Sequence, residues 1–190
     1  MPLPESIRNA IEGNAGLAVP YCDFQGMVPA RESIVRYETS KGIEGLHIDD
    51  VFIGNGVSEV VNFALLPLLN PGDEVIVPTP RFFFYYSIIA VAGAKLVPLD
   101  LTKSNFQVTR EALEELITPK TKAIILNSPN NPTGAIYSAE SLANVKSAVL
   151  GKPIFVICDN VYQQLCEEKC PDLSMDPELK EQILLCQSYS

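Results

Sequence analysis

Asn127-Ser128-Pro129-Asn130-Asn131-Pro132-Thr133-Gly134 follows directly on the apolar run Ala123-Ile124-Ile125-Leu126. A short apolar run closed by turn formers reads as a buried strand. Proline cannot continue a strand ladder, and glycine admits backbone angles that other residues avoid. A strand therefore ends here and the chain turns sharply. The turn leaves Asn127, Asn130 and Asn131 at the strand's carboxyl end, which is where open α/β sheets bind ligands. Asparagine offers a donor and an acceptor without titrating, so it can orient a polar ring substituent. The octapeptide also reads as a plain turn before the next helix, because Asn, Pro and Gly clusters are ordinary turn chemistry. The rest of the chain decides between a ligand shelf and a loop.

The chain has 190 residues, enough for one domain with a full core. A hydrophobic fraction of 47% against 19% charged residues is that of a globular protein. The net charge of −9 argues against nucleic acid and anionic membrane as main partners, since no basic field attracts phosphates. The start, Met1-Pro2-Leu3-Pro4-Glu5, lacks the basic and apolar segments of a signal peptide, and no apolar run approaches a membrane span. A cytoplasmic protein is expected. Cys22, Cys158, Cys166, Cys170 and Cys186 are odd in number, without CxxC spacing, and make a poor zinc set with the single histidine, His47. Free thiols are expected rather than a metal or disulfide framework.

Residues 1–30 are rich in Pro and Gly and read as an N-terminal arm with a short helical stretch near 5–12. A helix is predicted over 31–41, then a strand at Val51-Phe52-Ile53. Val60, Val61, Ala64, Leu65, Leu68 and Leu69 recur with helical period. Glu74-Val75-Ile76-Val77 reads as a strand stopped by Pro78-Thr79-Pro80, 83–91 as a helix, and 95–99 as a strand. Thr109 and Ser138 suit helix N-caps, on either side of the strand at 122–127. Pro153-Ile154-Phe155-Val156-Ile157-Cys158 is a strand ending in Asp159, and Gln182-Ile183-Leu184-Leu185-Cys186 is a last one after a short helix at 177–180. Strands alternating with helices predict an α/β fold of three αβα layers about a mainly parallel sheet. Residues 31–190 would form that domain.

Three strand ends carry candidate chemistry. Gly54-Asn55-Gly56-Val57-Ser58-Glu59 joins a strand to a helix. Small residues let backbone N–H groups approach an anion, and the helix N-terminus attracts it. It reads equally as a tight turn. Pro78-Thr79-Pro80-Arg81-Phe82-Phe83-Phe84-Tyr85-Tyr86 sets five aromatics after a strand; most must pack a helix face, while one near the strand end can stack on a planar ligand. Asp159 ends a very apolar strand, with Tyr162 three residues on. A buried carboxylate needs a cation or hydrogen bonds, and a protonated ring nitrogen would serve. A helix N-cap is the plain alternative.

Taken in order, Gly56-Val57-Ser58, Pro71-Gly72-Asp73-Glu74-Val75, Pro78-Thr79-Pro80, the 127–134 block and Asp159-Asn160-Val161-Tyr162 resemble the pyridoxal phosphate (PLP)-dependent aminotransferases of class I/II, fold type I, across nearly the whole chain. The glycine loop is most similar to the alanine- and aspartate-type branch. The resemblance implies a role for each matching residue. Val57 and Ser58 would hold the cofactor phosphate, and Phe82 would stack on the pyridine ring. Asn131 and Tyr162 would hydrogen-bond its 3-hydroxyl oxygen, and Asp159 would pair with its nitrogen. Ser188 would be a further phosphate contact, and Tyr21 would reach the phosphate of a partner subunit in a homodimer. Asn160 stands where the family commonly has glutamate.

In that family Ser-x-Ser is followed directly by the Schiff-base lysine, so Ser188-Tyr189-Ser190 implies a lysine immediately after Ser190 and no catalytic lysine within these residues. Lys120, Lys122 and Lys152 fall at strand starts. The chain alone is expected not to transaminate, its activity belonging to a longer parent enzyme. A non-catalytic scaffold of the same fold, or one half of a split enzyme, are alternatives. A nucleotide-dependent oxidoreductase or methyltransferase would want a small residue at 59 and an acidic end to the next strand, where Glu59 and Pro78 stand.

Overall fold

Along each central strand, alternate residues belong to different cores. Ile124, Leu126, Val156, Cys158 and Ile76 enter one apolar cluster, while Ala123, Ile125, Ile157, Val75 and Val77 enter another. A strand reverses its side chains at every residue, so both faces of this sheet are buried. That is why the strands read as continuous apolar runs. The computed structural model describes residues 2–17 and 21–189. Met1, residues 18–20 and Ser190 lie outside them.

The sheet has five parallel strands in the order β2-β1-β3-β4-β5. They are β1 (Glu74–Thr79), β2 (Lys95–Asp100), β3 (Thr121–Asn127), β4 (Phe155–Asp159) and β5 (Ile183–Cys186). α3 (Val57–Leu65) and α4 (Phe84–Val91) cover one face through Val61, Leu65, Ile88 and Ile89. α5 (Arg110–Glu114) and α6 (Ala139–Val149) cover the other through Leu113, Leu142, Val145 and Val149. This is the expected three-layer α/β fold. Each fully buried Leu, Ile or Val contributes roughly 1.5–3 kcal/mol, so the two clusters fix the layers.

The N-terminal residues add α1 (Glu5–Asn14), which buries nothing among the described residues, and α2 (Val28–Lys41). Helix α2 starts ahead of the expected position 31, so the arm's boundary at residue 30 falls within its first turn. Buried Arg31 ties the arm to the short turn of helix at Ile48–Asp50. It donates to the Gly26 carbonyl at 3.0 Å, the Ile48 carbonyl at 3.2 Å and the Asp23 carboxylate at 3.1 Å. Thr109 and Ser138 cap α5 and α6, accepting from the backbone of Ala112 and Ser141.

Two expectations need correction. Val51-Phe52-Ile53 belongs to no sheet, and Phe52 and Ile53 are exposed. Its one ladder-like bond runs from the Ile53 N–H to the Gln25 carbonyl at 2.9 Å. Apolar character suits a strand, but a strand also needs a neighbour. In addition, β1 does not stop at Pro78. It continues to Thr79 because β3 pairs only with Glu74, Val75 and Ile76, which leaves Pro78 beside β2 alone. Proline's missing N–H is tolerated where a ladder is one-sided.

Candidate cofactor site

Asn127, Asp159 and Cys186 end three neighbouring strands in register. The octapeptide after β3 is closed by its own polar groups. Asn130 is buried, its carboxamide oxygen accepting from the Thr133 hydroxyl at 2.8 Å and its carbonyl from the Gly134 N–H at 2.8 Å. Gly134 takes a φ of 71°, which glycine adopts without a Cβ penalty. Asn127 is buried as well. Its Nδ2 donates to the Asp159 carbonyl at 3.0 Å, and its Oδ1 accepts from the Asn131 N–H at 2.7 Å. The three asparagines thus divide. Asn127 and Asn130 build the turn, while the Asn131 side chain reaches across to the Tyr162 hydroxyl at 3.2 Å.

Asp159 is 2% exposed. Its Oδ2 accepts from the Tyr85 hydroxyl at 2.5 Å and its Oδ1 from the Val161 N–H at 3.3 Å. Burial holds its carboxyl above the usual carboxylate range, against the opposing pull of the Tyr85 and Val161 hydrogen bonds. Tyr85 is pushed well above a normal phenol, first by burial and then by the Asp159 charge, so it stays a donor. No lysine, arginine or histidine forms an ion pair with Asp159 among the described residues. A carboxylate so placed is complementary to a cationic ring nitrogen.

Phe82 packs edge-on against Tyr85, with centroids 5.8 Å apart and planes at 86°. Tyr85 thereby connects the ring expected to stack with the carboxylate expected to pair. Treating the aromatic run as general core packing missed Tyr85. The Phe82-to-Tyr85 spacing of one helical turn was the available signal.

The glycine loop leads into α3, which packs on β4 and β5. Gly56 precedes the helix with φ 84° and ψ 167°. The Val57 and Ser58 N–H groups find no acceptor among the described residues. The Glu59 carboxylate folds back to accept from the Asn55 N–H at 2.5 Å, which fixes the turn. Such a helix start suits a phosphate. Nothing lies within 4 Å of a Cβ placed on Gly56, so Gly56→Ala tests backbone conformation alone. This substitution is expected to cost about 1–3 kcal/mol, read as a lowered urea midpoint with unchanged slope.

Ser188 lies two residues beyond the strand partner of Asp159, at the same end of the sheet. Tyr21 is fully exposed and is not brought to these strand ends. Among the described residues no group of three or more His, Cys, Asp or Glu is arranged to hold a metal ion. No helix there is long and apolar enough to cross a membrane.

The chain matches the profile of the family Aminotransferase class I and II over residues 2–190. It belongs to the class I/II aminotransferases. That family is pyridoxal phosphate-dependent. The chain is similar to glutamate-pyruvate aminotransferase AlaA of Haemophilus influenzae, 38% identical over 163 residues, covering 85% of this chain and 40% of that protein. It is also similar to an alanine aminotransferase of Mycobacterium bovis, 34% identical over 174 residues, 90% of this chain and 41% of that protein. Aspartate aminotransferase of Thermotoga maritima superposes with a TM-score of 0.90 at 29% identity, over 100% of this chain and 51% of that one. The chain thus spans less than half the length of these curated relatives.

Proposed function

We propose that this chain forms the PLP-binding platform of an enzyme that transfers an amino group between an amino acid and a 2-oxo acid. The observation that carries this reading is buried Asp159, without a cationic partner among the described residues, held by Tyr85 beside the Asn131–Tyr162 pair. When bound, the cofactor supplies an electron sink for the substrate's α-carbanion. Asp159 would keep the ring nitrogen charged, and Asn131 and Tyr162 would hold the 3-oxygen. Val57 and Ser58 would bind the phosphate through backbone N–H groups, with Ser188 as a further contact, and Phe82 would cover a ring face. The names of the relatives make alanine, glutamate and pyruvate the first substrates to test.

Two coarser features go with this reading. Lys120 and Lys122 stand at the amino end of β3, and Lys152 just precedes β4, so none of these three stands in for the family's lysine. Phe24, on the arm that carries Tyr21, and Phe52 are exposed and 6.5 Å apart, a patch that suits a homodimer. Titration of PLP into the purified chain is expected to give saturable, dialysable binding. Borohydride should fix no cofactor to a lysine, and alanine with 2-oxoglutarate should not turn over. No saturable binding would overturn the cofactor reading, while turnover by the chain alone would overturn the assignment of the lysine.

A further inference from the structure

The segment after Tyr162 holds a second cluster that the cofactor reading does not use. The Cys166 and Cys170 sulfurs lie 2.7 Å apart, about 0.65 Å more than the ~2.05 Å of a disulfide bond. The loop around them is already drawn closed. The Asp172 carboxylate accepts from Asn160 Nδ2 at 3.1 Å and from Gln163 Nε2 at 3.0 Å. Its Oδ1 also takes the Ser174 N–H and hydroxyl. Tyr162 and both cysteines sit inside this latch. A covalent link between the two sulfurs therefore needs little backbone movement.

We propose that Cys166 and Cys170 are a reversible dithiol–disulfide pair, oxidised by a low-molecular-weight disulfide, that locks the loop carrying Tyr162. Cys166 is the more accessible sulfur, and Cys170 is buried. The Cys166 thiolate attacks one sulfur of the small disulfide, forming a mixed disulfide and releasing one thiolate. Cys170, once deprotonated, attacks the Cys166 sulfur and expels the second thiolate. The protein pair loses two electrons, the small disulfide is reduced to two thiols, and the two cysteine protons pass to the departing thiolates.

The remaining cysteines do not offer this chemistry. Cys158 and Cys186 lie in cores on opposite faces of the sheet, and burial pushes the Cys186 thiol up to about 12. Exposed Cys22 would stop at a mixed disulfide, so Cys22→Ser is the background for the test. Incubation with glutathione disulfide is expected to lower the intact mass by two hydrogens with no adduct retained. Trypsin cleavage after Lys169 should then leave the Cys166 and Cys170 peptides joined until reductant is added. Cys170→Ser should instead retain one glutathione on Cys166. Hydrogen exchange across residues 160–172 should slow on oxidation and recover on reduction. Retained glutathione on Cys166 with Cys170 present, a Cys166 link to another cysteine, or exchange unchanged by oxidation would overturn the proposal. The linked-peptide result is read without Cys170→Ser, so it stands whether or not that variant folds.

Discussion

Asp159→Asn is expected to weaken PLP binding by about 10- to 100-fold while making the cofactor-free protein more stable. The loss follows from one hydrogen bond to a charged group, worth roughly 1.5–3 kcal/mol. The gain follows from removing a charge buried at the end of β4: the asparagine oxygen still accepts from Tyr85, and only the longer bond from the Val161 N–H, at 3.3 Å, is given up. Its pH dependence takes its sign from the raised pKa of Asp159. An unfolded aspartate titrates near ~3.9. Between that pH and the higher folded value, the folded protein holds the proton more firmly than the unfolded chain. The contribution of Asp159 to stability is therefore least favourable above its folded pKa, and it recovers as pH falls. Glu74, Asp100 and Asp176 are shifted the opposite way, each chiefly by a hydrogen bond, from Thr118, Thr102 and Lys146 respectively. The difference between variant and parent cancels them. Thermal unfolding of both proteins from neutral pH down to about pH 4 should show the variant's advantage shrinking. An advantage that grows on acidification would contradict the account.

Asn127→Leu is expected to destabilise the fold by about 1–3 kcal/mol, because the half-buried Asn131 N–H loses its acceptor and the buried Asp159 carbonyl loses one of its two donors. The Asp159 carbonyl keeps the Ser128 N–H, at 3.4 Å. The side chain is nearly isosteric, so little of the effect comes from a cavity. The same change frees the Asn131 backbone and should weaken cofactor binding without touching any atom proposed to contact the ligand. Urea unfolding with PLP titration checks both parts. A variant with parental stability would show that these two hydrogen bonds add nothing to the fold.

Much of the fold was legible because burial on both faces writes itself as apolar runs. Ala123-Ile124-Ile125-Leu126 and Ile154-Phe155-Val156-Ile157-Cys158 became β3 and β4 with caps at Thr109 and Ser138 where expected. Val51-Phe52-Ile53 misled because local composition says nothing about whether a partner strand lies alongside. Pro78 misled in the opposite sense, since its effect depends on which flank of β1 is paired.

The candidate site was legible as a set of strand ends but not as a network. Asn131 and Tyr162, read separately as contacts to one ring oxygen, hydrogen-bond each other directly. That Asn127 would clamp the Asp159 backbone, or that Tyr85 would hold its carboxylate, depends on register across strands far apart in sequence. Tyr21 has no contact at these strand ends, and its expected role belongs to a second subunit.

Whether these strand ends hold the cofactor is decided by titrating the isotopically labelled chain with PLP and following the amide proton and nitrogen shifts. Saturable shifts are expected, largest at Val57, Ser58, Asn131 and Tyr162, with Asp159→Asn moving the midpoint to higher cofactor concentration. Shifts confined to another face of the molecule, or none at saturating cofactor, would contradict that placement.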